Sequence, residues 1–152
     1  MIQLIGEIID MKIESQLGDV IDIPADMWSR KDMRNMMLHR AIFSLKSMSG
    51  FSFDGSDLRS ALFDSGDFRK ASFCGVRAMN ALFKQSNLSG ATFKGASLVG
   101  AVFDGADLRS VDFGGADVAF ASFRGCDLRG AGLSFHRSDG ADFSEAKIGE
   151  GN

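Results

Sequence analysis

The chain is short of the residues that do chemistry. Its 152 residues include two histidines, two cysteines, one proline and no tyrosine. His39 and His136 stand alone, and no cluster of His, Cys or carboxylate falls at ligand spacing, so no metal site is expected. No catalytic constellation and no cofactor motif is present. Gly114-Gly115 has no strand–loop–helix context that would make it a phosphate cradle. These absences exclude most enzyme classes, and the reading is of a protein that is not an enzyme. No apolar run reaches transmembrane length, and Glu7 and Asp10 interrupt the early one, so neither a membrane partner nor a signal peptide is expected. A net charge of −3 is too mild to argue for a nucleic-acid or membrane partner. The length suits a single domain.

What the chain does have is one five-residue phrase, repeated from Ala61 to Phe143 almost without interruption. The middle residue of each phrase, its centre, runs Phe63, Phe68, Phe73, Ala78, Phe83, Leu88, Phe93, Leu98 and onward to Phe143 and Ile148. Two places earlier sits a small residue, as at Ala61, Ala71, Ala81, Ala91, Ala101 and Ala121. A period of five fits neither a helix nor a plain strand. It fits a chain that turns a corner every five residues, with centre and small residue inside and the other three outside. No such unit buries its apolar face alone, so the units must stack as a solenoid.

Ala-Asp-Leu-Arg-Ser at 106–110 and Ala-Ser-Leu-Val-Gly at 96–100 resemble the pentapeptide-repeat family, A(D/N)LXX, and the resemblance covers about four fifths of the chain. It implies an all-β fold, a right-handed quadrilateral β-helix with four phrases and twenty residues per coil. Residues 31–150 would make about six coils. Phenylalanine recurs as centre every ten residues, at 43, 53, 63 and so on to 123, then 143. In a four-sided coil that spacing places Phe on two opposite walls and mostly Leu, Val or Met on the other two. The glycines at 55, 75, 95 and 115 fall at one corner, where a turn needs positive φ. Cys126 takes an inward position and Cys74 an outward one more than two coils away, beyond disulfide reach. Reduced cysteines point to a cytoplasmic protein.

Residues 1–35 form a non-repeat N-terminal cap and 36–150 the repeat domain. Ile9, Met11 and Ile13 alternate with Asp10, Lys12 and Glu14, and Val20–Ile23 is a second apolar run after a loop near Gly18, which together read as a β-hairpin. Pro24 opens a short helix over residues 25 to about 35. The cap covers the open edge of the first coil. Lys46 and Phe51 occupy small-residue positions and predict a distorted first coil. The steady phrase is broken at Val76-Arg77-Ala78-Met79-Asn80. After 133 it decays, with His136 and Ser138 at inward positions, and the last coil is left frayed, covered by a partner, or paired end to end.

Function shows only where the outward positions depart from polarity. On one wall the residue before the centre reads Ile42, Leu62, Leu82, Val102 before turning to Ser122 and Asp142. The adjoining wall contributes Met79, Val99 and Ala119 after the centre, with Phe120 at the corner. These rows border one corner and form an apolar strip of the kind that marks an interface. Three occupants compete for it: the N-terminal hairpin, a second copy in a homodimer, and a different protein. The strip therefore places the function in a surface that docks on and modulates or inhibits a protein partner. The family resemblance suggests interference with a nucleic-acid-processing or phage-defence complex. It also suggests an alternative, a DNA-mimic inhibitor or protector of DNA gyrase or topoisomerase. A mimic needs negative charge on the rod, yet residues 31–150 carry 14 acidic and 15 basic side chains, against 6 and 2 in residues 1–30. Direct nucleic-acid binding is not expected.

Overall fold

In the computed structural model the described residues are 12–149. Ile9 and Met11 of the expected hairpin lie outside them. Strands β1 (Lys12–Ser15) and β2 (Val20–Asp22) pair antiparallel, with Ile13 opposite Ile21. The turn between them is held by Ser15, whose hydroxyl accepts from the N–H groups of Leu17 and Asp19. Helix α1 is shorter than its sequence suggests, Ala25–Ser29, with Pro24 as its N-terminal flanking residue. It stops early because Met33 is already a buried centre and Asp32 begins the coil ladder by bridging to Ser52.

From Asp32 to Lys147 each bridge joins a residue to the one twenty positions on, always in parallel. Wall one holds the centres from Phe43 to Phe143, wall two those from Met48 to Ile148, wall three those from Met33 to Leu133, and wall four those from Leu38 to Ser138. Adjacent coils exchange three bonds per phrase: the Phe63 N–H donates to the Leu82 carbonyl at 2.7 Å, the Leu82 N–H to the Ala61 carbonyl at 2.9 Å, and the Ser65 N–H to the Lys84 carbonyl at 2.9 Å. Backbone φ is positive at every fifth residue from Asn35 to Glu145 except Phe135. With the Lys46 N–H closing on the Phe43 carbonyl, this is a turn with a left-handed third residue. Only some of those corners are glycine.

The interior is an aromatic ladder. On wall one the rings of Phe63, Phe83 and Phe103 stack at 4.5 and 4.9 Å, and on wall three Phe53, Phe73 and Phe93 stack at 4.9 and 4.7 Å. The two stacks meet edge to face, as Phe83 and Phe93 do at 5.6 Å and 88°. Both geometries suit the ring quadrupole. Phe68 is the large centre on wall two, and the same coil carries the small Ala78 on wall four, so volume is conserved around the coil.

Three expectations are corrected here. The first coil is not distorted: bridges at Ile42, Ser47 and Ser52 run on unbroken. Phe51 fits because nothing but the cap lies above it, and Trp28 packs edge-on against it at 5.7 Å. His136 and Ser138 are exposed rather than inward. Arg137 keeps its bridge to Asp117, but one bond of the phrase moves: His136, not Arg137, donates to the Ala116 carbonyl. A tight turn from the Phe135 N–H to the Leu133 carbonyl takes the place of the left-handed corner, and Phe135 swings under the core against Phe113 (5.8 Å), Phe143 (6.0 Å) and Phe123 (6.3 Å). The last coil is thus partly closed from within, and Phe143 still stacks on Phe123 at 4.9 Å.

Candidate functional site

Ile42, Leu62, Leu82 and Val102 occupy successive rungs of wall one, bridged in turn, and all four are half-buried. At about 4.8 Å per rung the row is roughly 14 Å tall. Met79 and Val99 stand half-buried across the corner on wall four. Ala119, the third of that row in sequence, is wholly buried and adds nothing to the surface. Phe120 closes the row, 66% exposed with φ of +57°. Its ring lies over the next coil, where a Cβ on Gly140 would come within 2.6 Å of it.

The described hairpin does not cover this strip. β1 pairs with β3 (Ala41–Ile42) as an extra antiparallel strand, Glu14 opposite Ile42 and Ser15 opposite Ala41. Ile13 and Ile23 turn into the core, Ile21 packs against it, and the hairpin closes the coil end rather than the face. The Gln16 N–H and side-chain amide fix the turn to the corner by donating to the carbonyls of Arg40 and Ser60. Below it lies a shallow groove of about 480 Å³ lined by His39, Arg40, Arg59, Ser60, Met79 and Asn80. Two exposed apolar side chains went unremarked as surface residues in the sequence reading, one in line with the strip and one apart from it on wall four. Val20 extends the row beyond Glu14 through cross-strand pairing that no repeat announces, whereas Met37 was visible in register as an apolar residue in a polar slot of wall four.

The aspartates before the centres are occupied structurally. Asp67, Asp107 and Asp127 each receive Arg69, Arg109 and Arg129 through both Nε and Nη2, at 2.6–2.9 Å. These bonds hold the carboxyls below their ordinary range, Asp127 at about 2. Asp57 has a fully buried side chain held by Arg59 at 2.6 Å and Arg77 at 3.3 Å, and its pKa is lowered chiefly by the Arg59 bond. Arg77, from the phrase that breaks the repeat, stands where the coil above has Asp57. Burial pushes the Cys126 thiol up to about 12, and its Sγ contacts the Phe103 carbonyl at 2.9 Å. Among the described residues no three His, Cys or carboxylate side chains could share a metal ion, and no helix is long and apolar enough to cross a membrane.

The family model described as pentapeptide repeats matches in eight copies, over residues 86–119 and 106–144. No curated protein matches the chain. Among solved structures, the pentapeptide-repeat protein AT2G44920 from the Arabidopsis thaliana thylakoid lumen is 28% identical, over 75% of this chain and 66% of its own length, with a TM-score of 0.42. HetL, involved in heterocyst differentiation regulation in the cyanobacterium Nostoc sp. strain PCC 7120, is 22% identical over 80% and 78%, with a TM-score of 0.33. QnrB1, a plasmid-mediated fluoroquinolone resistance protein, is 18% identical over 72% and 80%, with a TM-score of 0.40. The five-residue phrase, the twenty-residue coils and this match agree: the repeat over residues 86–144 is that of the pentapeptide-repeat family.

Proposed function

We propose that the chain is a non-enzymatic protein-binding module: a right-handed quadrilateral β-helix, capped by residues 1–35, that docks as a rigid rod on a partner protein and modulates or inhibits it. The contact surface is Ile42, Leu62, Met79, Leu82, Val99, Val102 and Phe120. Phe120 carries this reading. The same corner holds glycine at 100 and 140, yet a bulky aromatic stands between them in the left-handed region and in water. That conformation costs a non-glycine residue roughly 1–2 kcal/mol, and exposure forgoes the burial that normally offsets such strain. An exposed aromatic beside half-buried aliphatics has the composition of an interface anchor. The Asp–Arg forks argue against a DNA mimic, because each carboxylate is neutralised where it stands.

The test compares solution mass, circular dichroism and apolar-dye binding for the wild type and a Leu62→Asp/Leu82→Asp/Val102→Asp variant. Two folded monomers, with dye binding lost in the variant and salt-insensitive in the wild type, support a strip open to a different protein. A dimeric wild type beside a monomeric variant would assign the strip to a second copy. Equal dye binding by both proteins would remove the strip from consideration.

A further inference from the structure

The positive charge of the rod is not spread evenly. Wall two and its corner with wall three expose Arg69, Lys70, Arg109, Arg129 and Lys147, and among the described residues the carboxylates on that wall are Asp67, Asp107 and Asp127. Each of those three is engaged by its own arginine in a two-point fork. The fork uses Nε and Nη2, so Nη1 faces away from the carboxylate, and the guanidinium is held in place before any ligand arrives. Lys31 joins the upper end of the same corner, its Nζ donating to the Ser49 carbonyl at 3.0 Å. The flanking walls bring Asp64, Asp104, Asp142 and Glu145 on wall one, and Asp32, Asp54 and Asp112 on wall three, where Asp32 is paired with Arg34 at 2.7 Å and Asp112 with Lys94 at 3.0 Å. Between the cations the wall is cut back by small residues. Ser89 and Gly90 stand where the coil above has Arg69 and Lys70, which leaves a groove of about 530 Å³ lined by Lys70, Ser89, Gly90, Arg109, Ser110 and Arg129.

We propose that this cationic edge is a second docking surface, for an extended acidic segment of a partner protein, whose carboxylates would take the outward Nη1 edges, the Lys70 ammonium and the Ser89 and Ser110 hydroxyls. Charge complementarity selects a polyanion, and the surface chemistry selects protein over nucleic acid. The wall offers no aromatic ring on which a base could stack. The edge is diagonally opposite the apolar strip, so it stands or falls independently of that surface, and one rod has room for both partners at once.

The test is an amide NMR titration of the full chain with a capped dodecapeptide of alternating Glu and Ser, at low salt. Expected are shifts at Ser89, Gly90 and Ser110, and about a tenfold weaker binding in Lys70→Glu/Lys147→Glu, two exposed positions whose charge reversal should leave the fold intact. Arg40→Glu, at the opposite corner, should stay within about twofold of the wild type. Equal loss in Arg40→Glu would reduce the effect to net charge and overturn the proposal. So would an absence of shifts at Ser89 and Gly90. A twelve-nucleotide oligo(dT) that moves the same amides at lower concentration than the peptide would assign the edge to nucleic acid instead.

Discussion

Gly66 and Phe68 should behave as one unit in a double-mutant cycle. A Cβ on Gly66 would lie 2.3 Å from Phe68 Cε2, 2.8 Å from Cζ and 3.1 Å from the Lys46 carbonyl. The ring cannot withdraw, because it is fully buried and wedged edge-on against Phe63 at 5.1 Å and Phe73 at 6.4 Å. Forcing a methyl into such a core costs about 1–3 kcal/mol. Gly66 does not have positive φ, so alanine recovers about 0.4–1 kcal/mol by narrowing the unfolded ensemble. Gly66→Ala alone should therefore destabilise by roughly 1–2 kcal/mol. Phe68→Leu alone should cost about 1–2 kcal/mol, a fraction of a full truncation to alanine, since it leaves a void beside the small Ala78. In the double variant the methyl meets no ring, as in the natural pair Ala106 and Leu108. Its stability should match Phe68→Leu or exceed it, a coupling of about 1–2 kcal/mol. Adding Ala78→Leu should refill the void. Guanidinium unfolding, followed by far-UV circular dichroism and by the fluorescence of Trp28, measures all five proteins. Additivity within about 0.5 kcal/mol would refute the argument that the small residue exists to seat the ring.

Other consequences follow from the same geometry. Phe83→Ala removes a fully buried ring that touches Phe63, Phe73, Phe93 and Phe103 and should cost about 3–5 kcal/mol, read from the same denaturation curves. Phe120→Gly should keep stability within about 1 kcal/mol of the wild type, since relief of left-handed strain offsets lost packing; dye binding at the strip should fall, and a collapse in stability would contradict the strained-anchor reading. A thiol reagent should modify the half-buried Cys74 in the native state and reach Cys126 only on unfolding, because burial disfavours its thiolate; two fast thiols would refute that. Asp127 has a folded pKa of about 2 against an ordinary 3.8, so its contribution is complete above about pH 4 and lost as pH falls through 2, with Asp67 and Asp107 shifted in the same direction. The urea midpoint should drop across that window, and Asp127→Asn should flatten the drop.

A chain that stacks on itself every twenty residues writes most of its tertiary contacts into local sequence. The alternation of Phe and Leu centres determined which walls carry aromatic stacks, and the small residue two places earlier determined how closely those walls turn. The apolar row from Ile42 to Val102 was readable because a polar slot had lost its polarity. Wherever a contact joins residues outside the repeat, the sequence carries no such register. That β1 would extend wall one beside Ile42, leaving the strip open, follows from an antiparallel pairing between a hairpin and a coil. That Phe135, by count a corner residue, would plug the last coil follows from a tight turn that replaces the left-handed corner and sets its ring against the core. Ala119 sits in an outward slot and is nonetheless covered. The strain at Phe120 also belongs to the fold, because periodicity marks the corner but only the backbone shows an aromatic held there in the left-handed region, where strain can persist because the coils on either side leave the chain no other path.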